Sequence, residues 1–330
     1  MTIAAQSAGT TAIQGLSIWP WLDTCDNRSR SPLLETNNWP RISIVTPNFN
    51  YGHLIEMTMR SVILQSYPNL EYIVIDDGST DESVKVIDRY SSQLAYFEHQ
   101  SNQGQYPTIN KGFSKATGEI CGWLNSDDIY LPWTLKTVAT IFSRFPDVHW
   151  IHGHVTQIQD GVVHAVGPYR PFPREMIRAG LFHEIGGGYG YIQQESCFWR
   201  RRLWEKAGGL RTDLGYAADF ELWTRFARHE KLHAVSTILG GFTERMNQNR
   251  SRLNRQQYIN DVDKSIREIR RDPNSCEARL ARRLARHEYV AGRLSYRVAN
   301  KFFSVRDLRG PTLMWDFSQG CYVAGTASIF

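Results

Sequence analysis

"LEYIVIDDGSTD", residues 70–81, decides how the chain is built. An apolar, β-rich run ends at Asp76 and Asp77, and a helical pattern through Val84 and Ile87 follows the polar turn. A strand that opens directly into a helix is half of a βαβ unit. Gly78 supplies turn geometry and Ser79 or Thr80 can cap the helix, which accounts for those three residues. Two carboxylates at the buried end of a strand need more, because desolvation penalises them unless a donor or a ligand compensates. A carboxylate there can accept the N–H of a nucleobase or a ribose hydroxyl, and Phe49 can stack on the base beside it.

The same unit recurs on either side. "RISIVTP" (41–47), "LAYFEHQ" (94–100) and "EICGWLN" (119–125) read as further strands. Leu54, Thr58 and Val62 mark one helix; Val84, Ile87 and Leu94 a second; Ile109, Phe113 and Ala116 a third, stopped by Gly118. This alternation predicts an α/β fold with a mainly parallel sheet covered by helices. Pro132 is expected in the first turn of a helix that follows Asp127 and Asp128 directly, with Leu135, Val138 and Phe142 on its inner face. "VTQIQDGVVHAV" reads as a hairpin across Asp160-Gly161, which makes the sheet mixed. "IQQESCFW" and "LHAVSTILGGF" read as strands, "DFELWTRFAR" as a helix, and residues 251 to about 303 as helices broken near Pro273 and Gly292. Residues 1–40 show no sustained periodicity and are expected to form a loosely structured arm.

The 330 residues, 42% hydrophobic and 22% charged, belong to a globular chain. No apolar stretch approaches the roughly 18 residues of a membrane span, and the first residues lack a signal-peptide pattern, so a cytoplasmic protein is expected. Cys25, Cys121, Cys197, Cys276 and Cys321 are scattered singly, so reduced thiols are expected. No HxxxH or HExxH pair occurs, which argues against a zinc site and leaves His99, His149, His152 and His154 structural or solvated. The glycine cluster at 186–190 lacks a dinucleotide fingerprint and reads as a mobile loop. Net charge is +5, with basic residues such as Arg270, Arg271, Arg279, Arg282, Arg283 and Arg286 concentrated after residue 264.

Three polar clusters, "TPNFN" (46–50), "DDGSTD" (76–81) and "NSDD" (125–128), fall at the C-terminal ends of parallel strands, the edge where open α/β sheets bind ligands. Asp127 and Asp128 suit a helix N-terminus. They equally suit a divalent cation, since Mg²⁺ takes one or two protein carboxylates and completes its shell with water and phosphates. In the second reading Asp127 is the ligand and Asp128 its support. Asp219, at the start of a helix whose apolar face includes Leu222, Trp223 and Phe226, is either a helix cap or a general base, and Glu221 its partner or a solvated acid.

Taken together, "RISIVTPNFN", "SVILQSYPNLEYIVIDDGSTD", "NQGQYPTINKGFSKATGEICGWLNSDDIYLP" and "YAADFELWTRFA" resemble the family-2 glycosyltransferases of the GT-A fold over about residues 40–245. The resemblance implies a nucleotide-diphosphate sugar as donor, Mn²⁺ or Mg²⁺ as cofactor, and inverting transfer by a hexosyltransferase. It implies donor contacts from Thr46, Pro47, Phe49, Asp76, Asp77, Lys111, Asn125, Ser126, Asp128 and Arg245, a metal at Asp127, and Asp219 as catalytic base. The acidic residue that often precedes this base is Ala218 here, and the segment "ERMNQNRS" replaces an Arg-x-His pattern. A QxxRW motif is absent, which points to single-sugar transfer, in surface polysaccharide or glycolipid assembly, to a saccharide or lipid-linked acceptor. The implied division is an arm (1–40), a GT-A domain (41–250) and a basic helical extension (251–330). Leu280, Leu284, Tyr289 and Leu294 give that extension an apolar stripe flanked by arginines, which either packs on the domain or contacts an anionic membrane surface; a nucleic-acid partner is not expected. A binding or regulatory protein that kept the nucleotide crevice without transfer is the alternative.

Overall fold

The computed structural model describes residues 39–159, 162–183, 185, 188–245, 253–293 and 308–328. In chain order the elements are β1 (Ile42–Asn48), α1 (Ile55–Ile63), β2 (Leu70–Asp76), α2 (Ser83–Asp88), β3 (Tyr96–His99), α3 (Gln105–Lys115), β4 (Ile120–Trp123), β5 (Ile129–Tyr130), α4 (Thr134–Arg144), β6 (Trp150–His152), β7 (Thr156–Gln159) and β8 (Val162–Val166). They continue with α5 (Arg174–Arg178), β9 (Cys197–Arg200), α6 (Arg201–Ala207), α7 (Ala218–His229), β10 (His233–Val235), β11 (Gly240–Thr243), α8 (Arg255–Ile269), α9 (Cys276–Arg293), β12 (Arg309–Asp316) and β13 (Cys321–Ser328).

The main sheet runs β3-β2-β1-β4-β9-β6-β10-β12-β13, with β9 and β13 antiparallel to the rest. β1 is buried along its whole length, as a central parallel strand covered on both faces must be. Its alternation sends Ile42 and Ile44 to one face, with Tyr72 and Val74 of β2, against α1 and α4. Val45, with Ile73 and Ile75, joins the opposite face under α3, α6 and α7. That second face is dominated by aromatics: Trp150 stacks on Trp223 at 5.3 Å and Trp199 on Trp204 at 5.9 Å. The polar members of β1 are tied to β2. Ser43 donates to Glu71, and Asn48 Nδ2 to Asp76 Oδ1 at 2.6 Å, across the parallel register that pairs those residues.

A second sheet, β5-β11-β7-β8, stands beyond the C-terminal edge of β4. It corrects two expectations. The carboxylates at 127–128 lead first into β5, which pairs with β11, and α4 starts only at Thr134 beyond Pro132. "LHAVSTILGGF" divides into β10 and β11, one strand for each sheet, and of "IQQESCFW" only the last three residues are strand, the start of β9. The hairpin of β7 and β8 forms as expected, its turn residues lying outside the described ones.

The segment after residue 251 is not helical throughout. α8 and α9 form, but β12 and β13 pair antiparallel and β12 adds to β10 in parallel, placing Leu313 and Tyr322 in the core. "GPTLMWD" and "CYVAGTAS" are aromatic and β-branched runs around a turn, a strand pattern overshadowed by the arginine-rich helices before it. Leu284 is buried and Leu280 packs beside it, so that part of the stripe meets the domain; the side chains of Tyr289 and Leu294 lie outside the described residues. Residues 1–38, Cys25, Gly186 and Gly187 also lie outside. Cys121, Cys197, Cys276 and Cys321 are free thiols.

α3 approaches β1 closely because Gly112 has no side chain: a Cβ there would stand 2.4 Å from Val45 Cγ1. Gly112→Ala therefore forces the helix off the sheet, and overpacking of this kind costs about 1–3 kcal/mol. The expected outcome is a lower denaturation midpoint in chemical unfolding followed by fluorescence.

Candidate active site

The C-terminal ends of β1, β2 and β4 open into one cleft of about 990 Å³, within the size range of small-molecule sites. Pro47, Phe49, Asp77, Asn125, Ser126, Asp127, Asp128 and Asp219 all line it, so most of the residues singled out in the sequence converge. Phe49 keeps 44% of its surface exposed at the wall, an open aromatic face. Asp77 is held by the loop after β3, accepting from Gln100 Nε2 (2.7 Å), Gln103 N (2.9 Å) and Gly104 N (2.8 Å). A carboxylate has about four acceptor positions, so one remains for a ligand.

Of the expected donor contacts, Thr46, Asp76, Lys111 and Arg245 are not among the lining residues, although Arg245 meets Asp127. Asp76 is fully buried and accepts from Asn48, Ser79 and His99, the last at 2.7 Å, so it braces the turn from beneath. Successive side chains of the extended strand end point opposite ways, so Asp77 faces the cleft while Asp76 is buried, and Gly78, at φ +86°, then turns the chain. Thr46 is buried with its hydroxyl 3.1 Å from that of Tyr72, leaving only its backbone for a ligand. Lys111 is held by Glu98 and Gln100, both at 2.6 Å.

At the end of β4, the two aspartates separate into different tasks. Asp128 is buried and accepts from Thr243 N at 2.9 Å and Asn125 Nδ2 at 3.2 Å, tying the loop to β11. Asp127 faces the cleft, where Arg245 Nη2 bonds its Oδ2 at 2.5 Å. That guanidinium also bonds Tyr51 Oη at 3.1 Å and lies 4.9 Å from the centre of its ring. Among the described residues no group of three or more His, Cys, Asp or Glu could hold a metal ion. The arrangement instead fits a cation that takes one protein carboxylate and finds its other ligands on phosphate oxygens.

Asp219 stands in the first turn of α7, but it is not the cap: that place belongs to Ala217, which makes no side-chain cap hydrogen bond. Its Oδ1 is buried and, among the described residues, has no partner. Glu221 is neither a partner of Asp219 nor solvated; it is buried and pairs through both oxygens with Arg225, one turn on. The sequence reading missed Gln193, Gln194 and Glu195, which lead into β9 and line the same cleft, and also Arg255, Tyr258 and Ile259. The last three come from α8, so the segment after residue 251 completes the cleft.

Four carboxyls thus gather in a desolvated space. Burial pushes Asp219 up to about 6, against the backbone N–H groups of Phe220 and of its own turn. Burial likewise raises Glu195 to about 8, with Asp127 and Asp219 adding repulsion. Asp128 is driven well above the usual carboxylate range by burial and then by Asp127 and Glu195. Asp127 is raised by burial in spite of Arg245 beside it. A smaller cavity of about 160 Å³, walled by Tyr169, Tyr189 and His154, shares Tyr191 with the main cleft.

Residues 43–203 match the family described as Glycosyl transferase family 2. An uncharacterized glycosyltransferase of Nostoc is 30% identical over 173 residues, 50% of this chain and 52% of that protein. One of Rickettsia typhi is 27% identical over 203 residues, 61% of this chain and 63% of that protein, so the chain spans half to two thirds of the length of these relatives. Among solved structures, Staphylococcus aureus TarS in complex with UDP superposes with a TM-score of 0.56 at 17% identity, covering 79% of this chain and 74% of that one. Mannosyltransferase PcManGT from Pyrobaculum calidifontis, in complex with GDP-Man and Mn²⁺, gives 0.55 at 19% identity, covering 80% and 74%. The mixed sheet with its strand-end cleft is the GT-A fold, and residues 43–203 place this chain in glycosyltransferase family 2.

Proposed function

We propose that this protein moves one sugar from a nucleotide-diphosphate sugar to an acceptor hydroxyl, with inversion at the anomeric carbon. The observation that carries the reading is the buried Oδ1 of Asp219, without a partner among the described residues, in the same cleft as Phe49, Asp77 and Asp127. A crevice kept only for binding has no use for such a group, and its exposed alternative, a helix cap, does not apply. TarS structures with UDP and with UDP-GlcNAc, and PcManGT with GDP-Man, support a nucleotide-sugar donor.

In this reading the base stacks on Phe49 and gives its N–H to Asp77, while the diphosphate lies at Asp127 and Arg245. Asp219 accepts the proton of the acceptor hydroxyl as that oxygen forms its bond to the anomeric carbon. The bond from that carbon to the diphosphate oxygen breaks, and the nucleoside diphosphate leaves from the opposite face. A divalent cation, Mn²⁺ or Mg²⁺, at Asp127 would neutralise charge on the departing diphosphate. A base near 6 is ionised at neutral pH and takes a proton more readily than an ordinary carboxylate. The acceptor is proposed to be a saccharide or a lipid-linked saccharide. Because Leu280 and Leu284 pack inward, membrane contact at this end would rest on exposed arginines such as Arg282, Arg283 and Arg286.

Thermal-shift screening with UDP-, GDP- and dTDP-sugars, with and without Mn²⁺, is expected to raise the unfolding temperature for one nucleotide class, since a ligand stabilises the state it binds. No shift with any of them would sink the proposal. With the donor so identified, Asp219→Asn should keep donor binding and lose about 10²- to 10⁴-fold in turnover. The wild-type kcat/KM should fall off below pH about 6 as Asp219 takes up its proton, a limb that rate measurements across pH would show or refute.

A further inference from the structure

The proposed mechanism leaves one carboxyl of the cleft without a task. Glu195 lies in a 3-10 turn (Gln194–Ser196) leading into β9, is 3% exposed, and lines the cleft wall. Among the described residues it makes no ion pair, and burial without a counter-charge favours its neutral form, which carries an O–H to give.

Its position is held from every side. Gln193 exchanges two hydrogen bonds with the backbone of Thr156, accepting from N at 2.6 Å and donating to O at 2.7 Å. Gln194 donates to the carbonyl of Trp123 and accepts from Asn125 at 3.1 Å. Ser196 Oγ has the carbonyls of His154 (3.2 Å) and Gly240 (3.1 Å) as acceptors for its one proton. Gly240 belongs to the clamp, because a Cβ there would stand 2.2 Å from the carbonyl oxygen of Glu195. Within the turn, Gln193 Nε2 donates to Oε1 at 2.6 Å and fixes the carboxyl itself. Preorganisation of this kind is what a substrate contact needs.

Glu195 lines one cleft, and interacts electrostatically, with groups from both ends of the proposed reaction. Asp127 and Asp128 come from the turn after β4, Asp219 from α7, Tyr130 from β5 and Cys197 from β9; Arg255 of α8 lines the same cleft. In the proposed reaction, on which this inference rests, the sugar is joined to a diphosphate at Asp127 and turns its anomeric carbon toward Asp219. It must therefore bridge the space that Glu195 borders. We propose that Glu195 hydrogen-bonds a hydroxyl of the transferred sugar and so helps to select that sugar. Burial keeps this acid protonated at neutral pH, so it gives its O–H to the sugar oxygen and adds no further charge to the cleft.

The test compares two affinities in the full chain by calorimetry: UDP, GDP and dTDP against UDP-glucose, UDP-N-acetylglucosamine, GDP-mannose and dTDP-glucose. Glu195→Ala should weaken the accepted nucleotide sugar about 10- to 100-fold, as expected for a lost hydrogen bond in a buried site, while the free nucleoside diphosphate changes by less than about twofold. Glu195→Gln, isosteric and neutral, should keep most of the sugar's contribution, and Glu195→Asp, one methylene shorter, should lose part of it. A deoxy donor lacking the recognised hydroxyl should bind wild type and Glu195→Ala equally. Equal weakening of nucleotide and nucleotide sugar would reduce Glu195 to a structural part and overturn the inference, as would a sugar contribution unchanged in Glu195→Ala. Should Glu195→Ala not fold, Glu195→Gln and Glu195→Asp still decide it: equal, undiminished sugar contributions in both would overturn it. A wild type that binds none of the nucleotide sugars would overturn the transferase reading along with this one.

Discussion

The side-chain amide of Asn125 holds the cleft together. Its Oδ1 accepts from Trp123 Nε1 at 2.7 Å and Gln105 Nε2 at 2.9 Å, and its Nδ2 donates to Asp128 at 3.2 Å and Gln194 at 3.1 Å. All four hydrogen-bonding positions of the amide are filled. Through this one group the end of β4, the start of α3, the turn before β5 and the turn before β9 keep a common register. Asp128 carries the connection on to Thr243, which fixes the second sheet against the first. Such a network stabilises only when complete, because each unmet buried group is penalised in a low-dielectric interior.

That network is needed because the cleft is electrostatically uncomfortable. Asp127, Asp128, Glu195 and Asp219 are all raised above the ordinary carboxylate range, each chiefly by burial. An acid with a raised folded-state pKa contributes stability below its unfolded value, and that stability is lost as pH rises through the folded value. For Asp219 the loss runs from its ordinary value of 3.8 up to about 6, and for Glu195 from 4.5 up to about 8, so at neutral pH Asp219 has lost its contribution and Glu195 most of its own. The surrounding scaffold of buried aromatics and clamped turns carries this strain. Binding a cation would supply the positive charge that the cleft has only in part, from Arg245.

The sequence shows the donor half of the site because each of its residues ends a local pattern. Phe49, Asp77 and Asp127 follow apolar strands directly, and Asp219 opens an amphipathic helix, so position along one segment is enough to find them. Asp76 and Asp77 look alike in sequence; strand alternation sends them opposite ways, and which one meets the cleft depends on which face of the strand end the sheet covers. Glu195 is hidden for another reason. Its place depends on β9 running antiparallel between β4 and β6, pairings across 45 to 80 residues that no short pattern encodes. Arg255 and Tyr258 belong to a helix whose inward face is chosen by packing against Phe220 and Ala217. β12 and β13 escape because strands in so short a segment are outweighed by the helical periodicity before them.

The match to glycosyltransferase family 2 ends at residue 203, before Asp219, Arg245 and Arg255. In the proposed reaction, the matched part of the chain would build most of the nucleotide end of the cleft, through Phe49, Asp77 and Asp127, with Arg245 added from beyond it. The later part would supply the proton acceptor Asp219 and the wall that an acceptor meets, and α8 reaches the cleft by packing on α7. Glu195 lies inside the matched region but faces the boundary between the two halves. A donor sugar placed there contacts residues from both, which is the arrangement expected if sugar choice and acceptor choice are set by side chains rather than by the shared framework.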